Sequence, residues 1–276
     1  MGEYAVLQGK SALVCAIDKR ITVSLRSRTD NQLTIHSSLG NYLGDIFNIT
    51  PVQPFQFVLS ALKQFELKTG CDITIESEFS SEMGLGSSAA VTVATLAALK
   101  KWDNADLIRE ARAIIQNVQG LGSGADVSAS VLGGVVHYQM EPLFIEKLAA
   151  DFPISVIYSG YKTPTAEVVK KVKASLDDAA FNEICYEIDG YVQSAIKALK
   201  EKNYLALGQC MNLQQKAMVK LGVNTVELDQ IIQTLNQETS ILGAKISGSG
   251  LGDCVIALGE SESLDIAISK QGLTYE

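Results

Sequence analysis

The sequence predicts an α+β chain, long enough for one large domain or two modest ones. Three observations carry this. Strand-like runs, alternating at period two or continuously apolar, recur in the first 160 positions and again near the C-terminus. Apolar residues at helical spacing dominate from Thr165 to Asn236. Loops dense in glycine and serine punctuate the joins at residues 84–88, 120–124 and 248–252. The division falls near residue 147, inside a connecting stretch from Pro142 to Asp151, giving domains 1–147 and 148–276.

Taken in order, Ser11–Ile17 reads as a buried strand, Ile21–Leu25 as an alternating one and Gln32–His36 as a third. Lys19, Arg20, Arg26 and Arg28 read as solvated charges around the second strand. Asn41–Thr50 is polar and irregular. Pro54–Leu67 carries apolar residues at helical spacing behind the start signals Pro51 and Pro54, so it is expected as a helix over the sheet. Cys71–Glu78 alternates as a strand, and Val91–Lys100 reads as a buried helix. Asn104–Val118 is a helix with Asp103 or Asn104 as cap. Strands are expected at Val135–Tyr138 and Pro153–Tyr158, and helices at Thr165–Leu176 (capped by Thr165), Phe181–Lys200, Tyr204–Lys220 and Val226–Asn236. Two strands flank the last glycine loop between Gly243 and Leu258. Leu264–Lys270 is expected as a final helix and Leu273–Glu276 as a closing edge.

Composition bounds the function. A chain of 276 residues, 47% hydrophobic and 20% charged, can build a packed core. Its net charge of −8 argues against nucleic acid or an anionic membrane as partner, though not against an anionic small substrate. Five dispersed cysteines without a Cys-x-x-Cys pair indicate reduced thiols, and two histidines argue against a zinc cluster. There is no apolar run of membrane-spanning length and no signal peptide at the start, so a soluble cytoplasmic protein is expected.

The most informative stretch is Glu82-Met83-Gly84-Leu85-Gly86-Ser87-Ser88-Ala89-Ala90, between a strand and a helix start. Gly84 and Gly86 permit a tight bend and close approach of a ligand, Ser87 and Ser88 are candidate caps, and the bare N–H groups of a first helical turn favour phosphate. It is not a Walker A loop, because no Gly-Lys-Ser/Thr follows, and it lacks the third glycine of a dinucleotide fingerprint. The string resembles the phosphate loop of the GHMP small-molecule kinases. Gly2-Glu3-Tyr4-Ala5-Val6-Leu7-Gln8-Gly9, Ser123-Gly124-Ala125-Asp126 and Lys245-Ile246-Ser247-Gly248-Ser249-Gly250-Leu251-Gly252 resemble further motifs of that family, in family order and across nearly the whole chain.

The resemblance implies a two-domain GHMP kinase fold, with a ribosomal-protein-S5-like N-terminal domain and a ferredoxin-like C-terminal domain. The family's first strand, ending in Pro-Gly-Lys, has no counterpart ahead of Gly2. It implies ATP at Gly84, Leu85, Gly86, Ser87, Ser88 and Ala89, with Mg²⁺ on Ser88. Asp126, whose plain role would be a helix cap, becomes the catalytic carboxylate that orients or deprotonates the acceptor. Substrate contacts are implied for Glu3, Tyr4, Ser123, Gly124, Lys162, Thr163, Ser247, Gly248, Ser249 and Gly250. Homodimers are common in the family.

Within the mevalonate-pathway branch, Gly-Glu-Tyr, Val118–Val127 and Gly252-Asp253-Cys254 resemble phosphomevalonate kinase, the reading favoured from sequence. Thr163-Pro164-Thr165-Ala166-Glu167 suits mevalonate kinase equally, and Ile115 stands where mevalonate kinases carry a metal-binding glutamate. The alternatives are mevalonate kinase, a homoserine or sugar kinase, and a metabolite or nucleotide sensor without turnover.

Overall fold

The computed structural model describes residues 1–65, 67–262 and 266–275. The chain runs β1 (Ser11–Cys15), β2 (Ile21–Ser27), β3 (Gln32–Ser37), β4 (Gly40–Asp45), α1 (Gln56–Gln64), β5 (Cys71–Ser77), α2 (Ser87–Leu99), α3 (Asn104–Gln119) and α4 (Ala125–Leu132). It continues through β6 (Val135–Gln139), β7 (Phe144–Leu148), β8 (Ile154–Tyr158), α5 (Thr165–Ser175), α6 (Asp178–Lys200), α7 (Tyr204–Lys220), α8 (Val226–Gln237), β9 (Gly243–Ser247) and β10 (Cys254–Leu258).

Two compact units result. The larger combines Met1–Asp18, Glu82–Leu85 and Gly133–Gln271; the smaller combines Lys19–Ser81, Gly86–Leu132 and the chain from Gly272 onward. The smaller unit holds a four-stranded sheet in the order β2-β5-β3-β4. In it β3 runs parallel to β5, and the other neighbours are antiparallel. The alternating inward residues Leu33, Ile35 and Ile73 meet Val58, Leu59 and Leu62 of α1. That is the burial the helical spacing of 54–67 required.

The larger unit holds two antiparallel three-stranded sheets, β1-β6-β7 and β8-β10-β9. Its main core gathers Ile188 and Val192 of α6, Met218 of α7, Leu228 of α8 and Ile246 and Val255 of β9 and β10. Buried polar side chains of α7 fix β9. The Ile246 N–H donates to Gln215 Oε1 at 3.0 Å, and the Ala244 N–H donates to Asn212 Oδ1 at 3.0 Å. Gly208 permits the approach, since a Cβ there would lie 2.5 Å from the Leu242 carbonyl carbon. This clamp holds the glycine loop after β9.

Four expectations are corrected. Asn41–Thr50 is not irregular throughout, because β4 pairs with β3 along an outer edge where no side chain is fully buried and no apolar pattern is needed. The 142–151 connection contains β7, likewise an edge strand. Ile266–Lys270 is not helical, and Leu264 and Asp265 lie outside the described residues. That stretch runs beside residues 16–18: Asp18 N–H donates to Ala267 O (3.0 Å) and Ser269 N–H to Ala16 O (2.9 Å). The period-two pair Ile266 and Ile268 suits such an extended segment. Leu273–Tyr275 forms no strand, although the Leu273 N–H bonds Val131 O, and Glu276 lies outside the described residues.

Candidate active site

In the smaller unit, α2 starts without a side-chain cap. Gly86 fills the N-cap position at φ 78°. Ser87 and Ser88 are already helical, so neither caps, contrary to the sequence expectation. The first amide with an intrahelical carbonyl is Ala90, bonded to Gly86 O at 3.0 Å. The N–H groups of Ser87, Ser88 and Ala89 thus face out of the positive end of a 13-residue helix. Elsewhere Asp103, Asp177, Asn203 and Thr225 satisfy this duty for α3, α6, α7 and α8.

Asp126 stands beside that helix start. A Cβ placed on Gly86 would lie 3.8 Å from Asp126 Cβ. Asp126 is not a cap but a first-turn residue of α4. The helix is opened instead by Ser123, whose Oγ accepts the Ala125 N–H at 3.2 Å, and by Gly124, whose carbonyl accepts the Ser128 N–H at 2.9 Å. The Asp126 Oδ1 accepts the neighbouring Val127 N–H at 2.9 Å. Burial raises the Asp126 carboxyl above its ordinary range, against the smaller opposing pull of backbone N–H groups.

In the larger unit the loop after β9 is backbone-strained. Gly248, Gly250, Leu251, Gly252 and Asp253 all have positive φ, at 87°, 82°, 53°, 135° and 63°. Outside partners lock it there. The Leu251 N–H donates to Val223 O (2.8 Å), and Thr163 Oγ1 donates to Leu251 O (2.5 Å). The Asp253 N–H donates to Tyr161 O (2.9 Å), and Ser159 N–H donates to Asp253 O (2.9 Å). Tyr4, itself at φ 66°, donates its hydroxyl to Ser249 O at 2.6 Å. Burial pushes that hydroxyl's pKa up, and the Glu3 charge adds to the rise.

Tyr4 is anchored by the residue before it. The Glu3 carboxylate accepts from Lys245 Nζ and from Gln214 Nε2, and Lys245 also donates to Ile246 O. Lys245 is 1% exposed and Gln214 fully buried. Burial alone would raise the Glu3 carboxyl, but the Lys245 charge overrides it and holds it at about 2.

The start of the 82–90 glycine-serine stretch packs in the same unit. Cys254 Sγ donates to Met83 O at 3.0 Å. Burial pushes its thiol up to about 12, so it is no nucleophile. A Cβ on Gly84 would fall 2.6 Å from Asp253 Oδ1.

Of the residues singled out in the sequence, the smaller unit therefore brings together Gly86, Ser87, Ser88, Ala89 and Asp126, with Ser123 and Gly124 committed to starting α4. The larger unit holds Glu3, Tyr4, Gly84, Leu85, Lys162, Thr163 and Ser247–Gly250. Thr165 is not a cap, because Pro164 fills that position before α5. Lys245 and Asp253 were named only within family-like strings, without a site role, and Gln214 was not named. The signal for Lys245 is a lone charge in an otherwise apolar strand and for Asp253 an acid closing a glycine string, whereas Gln214 is one of several amides along α7 and carries no such signal. Among the described residues no group of three or more His, Cys, Asp or Glu is arranged to hold a metal, and no helix is long and apolar enough to cross a membrane.

A bare helix N-terminus after a glycine bend, with one half-buried carboxylate beside it, is a geometry suited to holding a phosphate next to a group able to take a proton. Two family models match the chain: the GHMP kinases N terminal domain at residues 55–134 and the GHMP kinases C terminal domain at 195–271. The mevalonate kinase of Archaeoglobus fulgidus is 34% identical over 289 residues, spanning 100% of this chain and 95% of that protein. The crystal structure of the Methanococcus jannaschii mevalonate kinase superposes with a TM-score of 0.79 at 27% identity, covering 95% of this chain and 88% of that one. A Streptococcus pneumoniae phosphomevalonate kinase shares the fold, with a TM-score of 0.79 at 19% identity, 94% of this chain and 88% of that one. The chain belongs to the GHMP kinase family.

Proposed function

We propose that this chain is an ATP-dependent mevalonate kinase, passing the terminal phosphoryl group of ATP to the primary hydroxyl of mevalonate in the cytoplasm. The observation that carries the reading is the 34% identity, over the full chain, to the Archaeoglobus fulgidus mevalonate kinase. It supports the alternative considered from sequence over phosphomevalonate kinase.

Phosphoryl transfer depends on positioning and charge neutralisation. The unpaired amides of Ser87–Ala89 would hold ATP phosphate oxygens at the positive end of α2. The oxygen chemistry fits Mg²⁺, which keeps water and phosphate ligands and asks little of the protein; Ser88 would offer it a hydroxyl, and the ion would neutralise phosphate charge. Asp126 would take the acceptor's proton. An alcohol needs that help more than an already anionic phosphate does. Burial suits Asp126 to the task, because a carboxylate with a raised pKa is the stronger base. Glu3, Tyr4, Ser123, Gly124, Lys162, Thr163 and Ser247–Gly250 are proposed to shape the acceptor's surroundings, several of them through the loop bonds described above.

The second reading, phosphomevalonate kinase, is favoured by Gly252-Asp253-Cys254 and by Tyr4 after Glu3. ADP release from Mg-ATP, measured with mevalonate and phosphomevalonate offered separately, decides. Turnover with mevalonate alone supports the proposal, and turnover with phosphomevalonate alone overturns it. ATP binding without turnover of either would make the protein a sensor.

A further inference from the structure

Two side-chain atoms in the loop after β9 are at odds with its backbone. The Ser249 carbonyl and the backbones of Leu251 and Asp253 are tied from outside, yet Asp253 Oδ1 and Ser249 Oγ have no hydrogen-bond partner. Asp253 is 5% exposed and Ser249 8%. Buried polar atoms are almost always paired, so each exception calls for a partner such as a ligand, an ion or a water. Asp253 also holds positive φ, a conformation that persists only where the surroundings enforce it.

The carboxylate lies between two glycines. Its Oδ1 faces Gly84, and its Oδ2 would be 3.5 Å from a Cβ on Gly248. No side chain at either position can cover it. The chemistry of the missing partner follows. Oδ1 accepts only, so it needs a donor, while a serine hydroxyl can serve either way. An alcohol is both donor and acceptor. A divalent cation would want several hard oxygens, and no acidic cluster is present among the described residues. Burial raises the Asp253 carboxyl and the Lys162 charge opposes that rise, so positive charge already faces Asp253, which disfavours a cation there.

We propose that Asp253 is a specificity-determining residue for the acceptor, its Oδ1 accepting a hydrogen bond from the acceptor hydroxyl that is not phosphorylated, with Ser249 Oγ as second contact. The acceptor is then a hydroxy acid with two alcohols, one phosphorylated and one read. This rests on the mevalonate kinase reading.

The test compares wild type with Asp253→Asn, which tolerates positive φ, using mevalonate and its analogue with hydrogen in place of the tertiary hydroxyl. Wild type should favour mevalonate over the analogue by roughly tenfold or more in kcat/KM, the scale of a lost hydrogen bond to a charged group. Asp253→Asn, whose neutral amide oxygen accepts more weakly than a carboxylate, should lose part of that preference through KM for mevalonate. Its KM for ATP and its Tm should stay close to wild type. A second variant, Ser249→Ala, should lower the preference by a smaller factor.

Equal discrimination in wild type and Asp253→Asn would overturn the proposal while leaving the kinase reading intact. So would a parallel rise in KM for ATP, which would make Asp253 a prop for the phosphate loop. Absence of wild-type turnover with mevalonate would overturn both.

Discussion

Lys245→Met is the perturbation with the clearest expected magnitude. The Lys245 side chain is 1% exposed and its ammonium is held by the Glu3 carboxylate and Ile246 O. Methionine keeps the length and removes the charge. Glu3 is then left as a largely buried carboxylate with only Gln214 as side-chain donor. Breaking one partner of a buried pair costs about 3–5 kcal/mol, because the survivor is uncompensated. The larger unit has about 160 residues. With unfolding entropy of about 2.1 cal/mol/K per residue, the loss corresponds to a fall in Tm of roughly 9–15 °C. The assay is thermal and urea unfolding of wild type, Lys245→Met, Glu3→Gln and the double variant. The double variant should be more stable than Lys245→Met alone, since both charges are gone. A Lys245→Met loss below about 1 kcal/mol, or double-variant costs that simply add, would refute the assignment of a coupled buried pair.

Other expectations follow from the same geometry. Glu3 titrates at about 2 in the folded chain against 4.5 as its ordinary value. Its depressed pKa stabilises the fold above the ordinary value, and that contribution drains away as pH falls toward 2. Glu3→Gln should flatten the acid limb of a stability-versus-pH curve. Asp126→Asn should lower kcat on the order of 10²–10⁴-fold with ATP binding retained, and unchanged turnover would remove Asp126 from the chemistry. Because burial raises the Asp126 pKa, the acidic fall of wild-type kcat/KM should centre above the ordinary aspartate range; a pH–rate profile reads this directly. Gly84→Ala and Gly86→Ala both force alanine to positive φ, which costs about 1–2 kcal/mol. Only the Gly84 variant also drives a Cβ to within 2.6 Å of Asp253. It should be the less stable of the two in a melting comparison.

What could be read from the sequence was whatever depends on near neighbours. Buried strands such as β3 and β5 announced themselves by alternation, and α1, α6 and α7 by spacing, because one face of each must meet a core. The edges β4 and β7 did not, since edge strands face water and need no such pattern. The same limit applied at the site. Gly84, Gly86 and the 120–124 and 248–252 loops were visible because backbone bends demand glycine locally. The roles of Lys245 and Gln214 depend on Glu3, more than 200 residues away in the chain, and no local pattern encodes that meeting. Asp253 was visible only as a family-like letter. Its unpaired oxygen is a property of the packed loop.

The two units handle their polar groups differently, and the difference bears on what each does. At α2 a glycine cap replaces the Ser, Thr, Asp or Asn that most helices prefer. The substitution costs only a few tenths of a kcal/mol, yet it matters sterically, because a capping carboxylate would occupy the position an anion needs. Generic phosphate binding therefore requires little sacrifice of stability. The loop after β9 is a different case. Leu251 and Asp253 at positive φ cost about 1–2 kcal/mol each, and Tyr4, Thr163, Tyr161, Val223 and Ser159 are all engaged in holding that backbone. Strain maintained by so many long-range bonds is not needed to bind a phosphate, for which a simple helix end suffices. It is the arrangement expected where one small molecule must be told from another. Acceptor discrimination should therefore be more sensitive than ATP affinity to changes in Tyr4 and Thr163, and Tyr4→Phe with Thr163→Val should raise KM for the acceptor several-fold more than KM for ATP. Equal shifts in the two constants would mean that the strained loop serves only the fold.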